Sequence, residues 1–102
     1  MKIVHNGDTL NISEIEQLGN AESESFRSRL VAELWSGIKQ IEIDLSSTRF
    51  LDCGGVGALV ALRASARRDY EGVKFQVLNP SSQARQLFNL TRLEYFLNPQ
   101  AD

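Results

Sequence analysis

Cysteine and histidine are almost absent from this chain of 102 residues, which contains one of each. A single cysteine, Cys53, excludes an internal disulfide framework and any zinc site built from several cysteines. A single histidine, His5, excludes a His-rich metal centre and leaves little room for a Ser-His-Asp hydrolase. No metal, cofactor or conventional active site is therefore expected, and one free cysteine fits a reducing, cytoplasmic setting.

Long apolar runs and an excess of positive charge are missing as well. The longest apolar stretch, Val56 to Leu62, contains a glycine and is far short of a membrane span. The N-terminal residues contain no long apolar run, so they do not resemble a secretory signal. Eleven basic residues against thirteen acidic ones give a net charge of -2, which lacks the cationic footprint of nucleic-acid-binding domains. We therefore expect neither a nucleic-acid partner nor a membrane span.

The composition and length are those of one globular domain. Apolar residues make up 42% and charged residues 24% of the chain, close to globular averages, so disorder is not expected. At roughly 150 residues per domain, the length predicts a single domain over residues 1–102.

The hydrophobic pattern predicts the order strand, strand, helix, strand, helix, strand, helix. The expected fold class is α/β, a mixed sheet of four to five strands with the helices packed mainly on one face. Asn6-Gly7-Asp8 is the predicted hairpin turn, and Ser81 the predicted N-cap of the last helix. The expected strands are 2–5, 9–12, 40–45 and 73–78, and the expected helices are 21–36, from about 54 to near 72, and from 82, with a short closing element in 94–102.

The segment Asp52–Gly57 is the most informative part of the sequence. It follows a turn-rich stretch and starts a helix, and ligands of α/β sheets usually bind near the ends of strands. Asp52 is placed to cap that helix through its carboxylate. Gly54, Gly55 and Gly57 allow a tight bend and the close approach of another surface.

Three functions are compatible with this segment. Glycines at a helix N-terminus bind phosphate well, yet the sequence GGVG matches neither dinucleotide-binding nor P-loop patterns. Cys53 near a helix start is a candidate reactive thiol, but the adjacent charge of Asp52 disfavours that role. The third possibility is a loop that docks another protein.

An ordered set of motifs accompanies the segment. Asp44-Leu45-Ser46, Phe50-Leu51 and Asp52-Cys53-Gly54-Gly55-Val56-Gly57 precede a helix rich in leucine and alanine, and Asn79-Pro80-Ser81 precedes Ala84, Phe88, Leu90, Thr91, Leu93 and Phe96. This set resembles the STAS domain, the family of bacterial anti-sigma factor antagonists and of the cytosolic domains of sulfate transporters. The family pattern D-S-S-G-[LV]-G falls on Asp52–Gly57, and the resemblance covers nearly the whole chain.

The resemblance implies a non-enzymatic protein that binds an anti-sigma factor, itself a serine kinase, through Asp52–Gly57 and the following helix. In the family, the second serine of that pattern is phosphorylated, and the added charge ejects the partner. That position is Gly54 here, which has no hydroxyl, so the usual switch is expected to be absent. Ser47 and Thr48 are the substitute phosphorylation candidates, although turn formation is the simpler role for them.

Two alternatives to an anti-sigma factor antagonist remain at this stage. The first is a STAS accessory subunit that binds the ATPase of a lipid or other ABC transporter. The second, from another class, is a small nucleotide-binding or thiol-dependent enzyme that uses Cys53 and the glycines.

Some charged and aromatic residues outside the motif are further candidates. Five arginines could meet an acidic partner or phosphate, but a solvated helix face balanced by Asp69 and Glu71 is preferred for them. Trp35 is expected at the edge of the core, His5 is expected to be structural, and Glu14 and Glu16 lie where the family has an acidic partner-contacting element. The five arginines are Arg63, Arg67, Arg68, Arg85 and Arg92.

Overall fold

A computed structural model describes residues 1–97 of the chain. The strands are β1 (Lys2–Asn6), β2 (Thr9–Ser13), β3 (Gln17–Leu18), β4 (Gln40–Asp44), β5 (Phe50–Leu51) and β6 (Lys74–Leu78). The helices are α1 (Ser23–Ala32), α2 (Cys53–Asp69) and α3 (Ser82–Leu90), followed by a 3₁₀ turn at Glu94–Phe96. The last part of the predicted closing element, residues 98–102, lies outside the described residues.

The main sheet has four strands in the order β1-β2-β4-β6. β1 and β2 are antiparallel and are joined by the predicted hairpin, in which Gly7 adopts the left-handed φ of +65°. β4 pairs in parallel with β2 on one side and with β6 on the other. The expected mixed α/β sheet is confirmed.

Alternation along the strands decides which face of the sheet is buried. Leu10, Ile41 and Phe75 are aligned across β2, β4 and β6, and each is almost fully buried. Their sequence neighbours on the other face, such as Asn11 and Glu42, are half-buried polar residues that hydrogen-bond each other. One face therefore carries the core and the opposite face stays polar, as expected for helices packed mainly on one side.

A second, two-stranded sheet was not predicted. In it β3 and β5 run parallel, with Gln17 opposite Phe50 and Leu18 opposite Leu51. Strands of two residues are too short to show an alternating pattern, so the sequence contains no periodic signal for them. This small sheet leads into the Asp52–Gly57 segment, because β5 ends immediately before Asp52.

Helix α1 is shorter than predicted. The apolar spacing extends to Ile38, but the helix ends at Ala32, and the N–H groups of Glu33 and Leu34 bond to the carbonyls of Leu30 and Val31. These tighter bonds close the helix. Ile38 is buried from the following loop, after Gly37 at φ +105°. The predicted end of α1 was wrong because Ile38, a buried residue of the loop, continues the four-residue apolar spacing of the helix beyond its real end.

Helices α2 and α3 agree closely with the prediction. α2 buries Leu59, Leu62 and Ala66 and ends at Asp69, before Gly72 at φ +78°. The hydroxyl of Ser81 accepts a hydrogen bond from the Ala84 N–H at 3.1 Å, which confirms it as the N-cap of α3. The predicted closing element is the 3₁₀ turn, and its Phe96 is fully buried.

Candidate functional site

The small sheet brings two turns together at one end. Because β3 and β5 are parallel, the turn that leads into α1 and the start of α2 leave from the same edge. The first turn contains Gly19 and Asn20, and the second contains the Asp52–Gly57 segment. The segment is therefore built against residues about thirty positions earlier in the chain.

Asp52 holds these two turns together. One carboxylate oxygen accepts a hydrogen bond from the Gly55 N–H at 3.0 Å, which confirms the predicted helix cap. The other accepts from the Asn20 N–H at 3.2 Å. These bonds, that from Gly55 first, lower the pKa of the Asp52 carboxyl below its ordinary value because they stabilise its charged form. Asp52 is thus a charged bridge as well as a cap.

The three glycines of the segment have different surroundings, and none has a positive φ. A Cβ at Gly55 would overlap the carbonyl oxygen of Leu18, and one at Gly54 would lie 2.6 Å from the Asn20 Cα. A Cβ at Gly57 would meet nothing within 4 Å. The predicted tight bend is wrong, since the helix has already begun at Cys53. The predicted close approach does occur at Gly54 and Gly55, where the approaching backbone is the protein's own.

Part of the segment is available to a partner. Cys53 and Gly57 are exposed and Gly54 is half-buried, whereas Gly55 and Val56 are buried and support the segment from inside. A shallow groove of about 300 Å³ lies beside the exposed part, between α1 and α2. Small residues of α2 form one side of it, and Ser23, Glu24 and Arg27 of α1 form the other. Such a surface allows another backbone to approach closely.

The α1 side of this groove was not predicted. Asn20, Glu24 and Arg27 belong to none of the motifs found in the sequence. Their proximity to Gly54 depends on the two-residue pairing of β3 with β5. The sequence has no periodic signal for that pairing, because strands of two residues are too short to alternate.

The hydroxyl candidates differ in accessibility. Thr48 is half-buried, and its hydroxyl donates a hydrogen bond to the Ile15 carbonyl. Ser47 is exposed on the same loop. The structure therefore gives Thr48 a structural contact and leaves Ser47 as the more accessible of the two candidates.

Arg63 and Arg68 of α2 lie in different environments. The guanidinium of Arg63 lies 4.9 Å from the centroid of the Tyr95 ring and 5.7 Å from that of Phe96. Arg68 is exposed and pairs with Asp69 at 3.1 Å. Arg68 matches the preferred solvated face, but Arg63 joins α2 to the 3₁₀ turn.

The remaining candidates lie away from the segment. His5 hydrogen-bonds Glu33 at 3.1 Å and stacks near Trp35, with ring centroids 4.8 Å apart. Glu14 and Glu16 are exposed beside an open groove of about 680 Å³ that also contains Glu22 and Arg29. Within residues 1–97, no group of three or more His, Cys, Asp and Glu side chains is placed to hold a metal ion.

Comparison with known proteins identifies a family. The family model described as "Mlab, STAS domain" matches residues 2–98. No protein among those with curated functions matches the sequence. No helix within residues 1–97 has the length and apolar character needed to cross a membrane.

Solved structures share the fold at low sequence identity. The Thermotoga maritima protein TM1081 is 17% identical, with a TM-score of 0.79 over 94% of this chain and 81% of its own. An anti-sigma-factor antagonist (STAS) domain protein from Planctomyces limnophilus is 18% identical, with a TM-score of 0.78 over 94% and 84%. The Bacillus anti-sigma factor antagonist SpoIIAA, unphosphorylated, is 19% identical, with a TM-score of 0.69 over 87% and 81%.

Proposed function

The chain belongs to the STAS domain family, and we propose that it is a non-enzymatic regulatory module that binds an anti-sigma factor related to serine kinases. The partner docks on the exposed part of the Asp52–Gly57 segment and on the first turns of α2. The single observation that carries this proposal is the bridge from Asp52 to both Asn20 and Gly55, which holds that surface in one conformation.

A fixed surface favours binding because less conformational entropy is lost when the partner docks. The exposed atoms at this surface come from small residues, so the partner's backbone can come close to α2. Glu24 and Arg27 border the same groove and supply charge on its rim. Rim charges of this kind affect specificity and association rate more than affinity.

Regulation in this proposal does not use the family's phosphorylation position. Gly54 has no hydroxyl, and the Asn20 backbone and side chain occupy the space that a side chain at Gly54 would take. The protein is therefore proposed to be in its binding state constitutively. Ser47 remains the accessible hydroxyl nearest in sequence, so a phosphate there would act at the border of the segment.

The second candidate function is the accessory subunit of an ABC transporter, in which the same surface binds the transporter ATPase. The description of the matching family model, which names Mlab, favours it. The two candidates share the docking surface and differ in the partner.

A nucleotide-binding function is less well supported by the geometry. The Gly55 N–H, which would face a phosphate at this helix start, is already bonded to the Asp52 carboxylate. A charged carboxylate at this position would also repel a phosphate. The glycines are better explained by their packing against β3 and Asn20.

Affinity purification from the native host, read by mass spectrometry, tests the proposal. The wild type is compared with Gly57→Glu, which places a charge in open space on the docking surface, and with Val4→Glu, a control on the remote strand β1. We expect wild type and Val4→Glu to recover a kinase-like anti-sigma factor and Gly57→Glu to lose it. Recovery of a transporter ATPase would select the second candidate, and equal recovery by all three would refute docking at this segment.

A further inference from the structure

We propose that the groove between β5 and α3 is a second docking surface, which takes an acidic amphipathic helix of the same partner. This inference rests on the proposed function and adds a second contact to it. Arg49, Phe50 and Leu51 form one wall of the groove, whose volume is about 350 Å³. Gln83, Gln86, Leu87 and Leu90 of α3 form the other.

The groove contains the two most exposed large apolar side chains in residues 1–97. Leu90 is 76% exposed and Phe50 is 51% exposed. Single exposed apolar residues are common on proteins, but apolar side chains gathered in one depression mark interaction sites. Here the two face a common groove from different elements.

The shape of the groove favours a helix as its occupant. The α3 residues that line it are spaced i, i+3, i+4 and i+7, so they form one face about 10 Å long. An extended peptide would need strand pairing, but β5 has only two residues and offers few backbone hydrogen bonds. A partner helix can instead lie along α3 and insert apolar side chains beside Phe50 and Leu90.

The charge around the groove indicates an acidic occupant. The chain has a net charge of -2, yet the side chains that line the groove include one basic residue, Arg49, and no aspartate or glutamate. This local positive charge complements an acidic helix. A second copy of this chain is a poor occupant, because a symmetric contact through this groove would bring the two copies of Arg49 together.

The groove adjoins the Asp52–Gly57 segment, because Leu51 in its wall directly precedes Asp52. The Phe50 ring covers Gly19, where a Cβ would lie 2.5 Å from Cε2 of that ring, and Asp52 follows two residues later. A single partner can therefore contact the segment and the groove together. Two linked contacts raise affinity beyond that of either alone.

Site-specific photocrosslinking in the native host tests this inference. Benzoylphenylalanine replaces Leu90 in the groove, Gly57 in the segment, or Val4 on the remote strand β1, and the linked peptides are sequenced by mass spectrometry. We expect the probes at 90 and 57 to link the same protein. The peptide linked at 90 should carry apolar residues at helical spacing and an excess of Asp and Glu.

Affinity measurements with that partner complete the test. Leu90→Arg should weaken binding at least about tenfold, whereas Val4→Arg, also at an exposed aliphatic residue, should leave it unchanged. If the probe at 57 links a partner and the probe at 90 does not, the second surface is refuted and the proposed function stands. If neither probe links a partner, both the second docking surface and the proposed function are refuted. A link from 90 to a second copy or to a basic segment also overturns the inference.

Discussion

The carboxylate of Asp52 accepts a hydrogen bond from the backbone N–H of Asn20 at 3.2 Å, although 32 positions separate the two residues. The same turn packs against Gly54, the position at which the family resemblance places a phosphorylated serine. In the family, phosphorylation at this position is expected to control partner binding. In this protein the same surface is joined to the turn between β3 and α1. This relationship leads to the predictions on stability and binding that follow.

The glycines of the segment should respond differently to alanine. Gly57→Ala adds a methyl group in open space on a helix, so it should stabilise the fold by about 0.5–1 kcal/mol. Gly54→Ala and Gly55→Ala force atoms against Asn20 and Leu18, so each should destabilise by about 1–3 kcal/mol or more. Urea denaturation of the three variants measures this. Equal effects at all three positions would contradict the packing described.

The charge on Asp52 should affect stability at acid pH. Its folded-state pKa is lowered by the N–H groups of Gly55 and Asn20. Its contribution is therefore complete above the unfolded pKa of about 3.9 and is lost as pH falls through the lower folded value. Asp52→Asn should lower the urea midpoint at neutral pH, and the difference from wild type should shrink as the pH falls below that range.

Asp44 provides the internal control for this pH experiment. Burial raises its pKa, but hydrogen bonds from Ser46 and Asn79 outweigh burial, and its pKa is lowered. The Asp52→Asn variant retains Asp44, so acid-side loss of stability should persist in it at reduced size. If the difference in urea midpoint between Asp52→Asn and wild type were constant across the acid range, the charged bridge formed by Asp52 would be refuted.

Arg63 should hold the 3₁₀ turn against α2. Its guanidinium stacks on Tyr95 at 4.9 Å, and cation–π contacts contribute about 0.5–2 kcal/mol according to their exposure. Arg63→Met keeps much of the apolar stem and removes the charge, so it should destabilise within that range. A double-mutant cycle with Tyr95→Leu isolates the pair, and a coupling energy near zero would contradict the contact.

Thr48 should matter for stability rather than for signalling. Its hydroxyl donates to the Ile15 carbonyl, and the loss of such a bond costs about 0.5–1.5 kcal/mol. Thr48→Val should therefore lower stability by that amount and leave partner affinity unchanged. Ser47→Ala is the matched control on the same loop and should change neither quantity. If Thr48→Val lowered partner affinity and left stability unchanged, Thr48 would have a role in signalling instead.

The sequence predicted those parts of the fold that have strong local signals. The alternation of Gln40 to Asp44, the hairpin at Gly7 and the caps Asp52 and Ser81 each depend on nearby residues, and the structure confirms them. The family was also identified from ordered motifs and is confirmed.

The parts that were missed depend on contacts between distant residues. The pairing of Leu18 with Leu51 involves two-residue strands, which have no periodicity. The role of Asn20 follows from that pairing, so it was missed as well. The end of α1 was misplaced because Ile38 is buried from a loop at a spacing that imitates a helix. The groove beside Leu90 required knowledge of where β5 lies relative to α3.

Hydrogen–deuterium exchange of the protein with its recovered partner tests the central claim most directly. Docking at the Asp52–Gly57 segment predicts slower exchange in residues 20–27 and 53–61 when the partner is added. The open polar face of the sheet, in β4 and β6, should exchange as it does in the free protein. Protection confined to that sheet face, with residues 53–61 unchanged, would contradict the account.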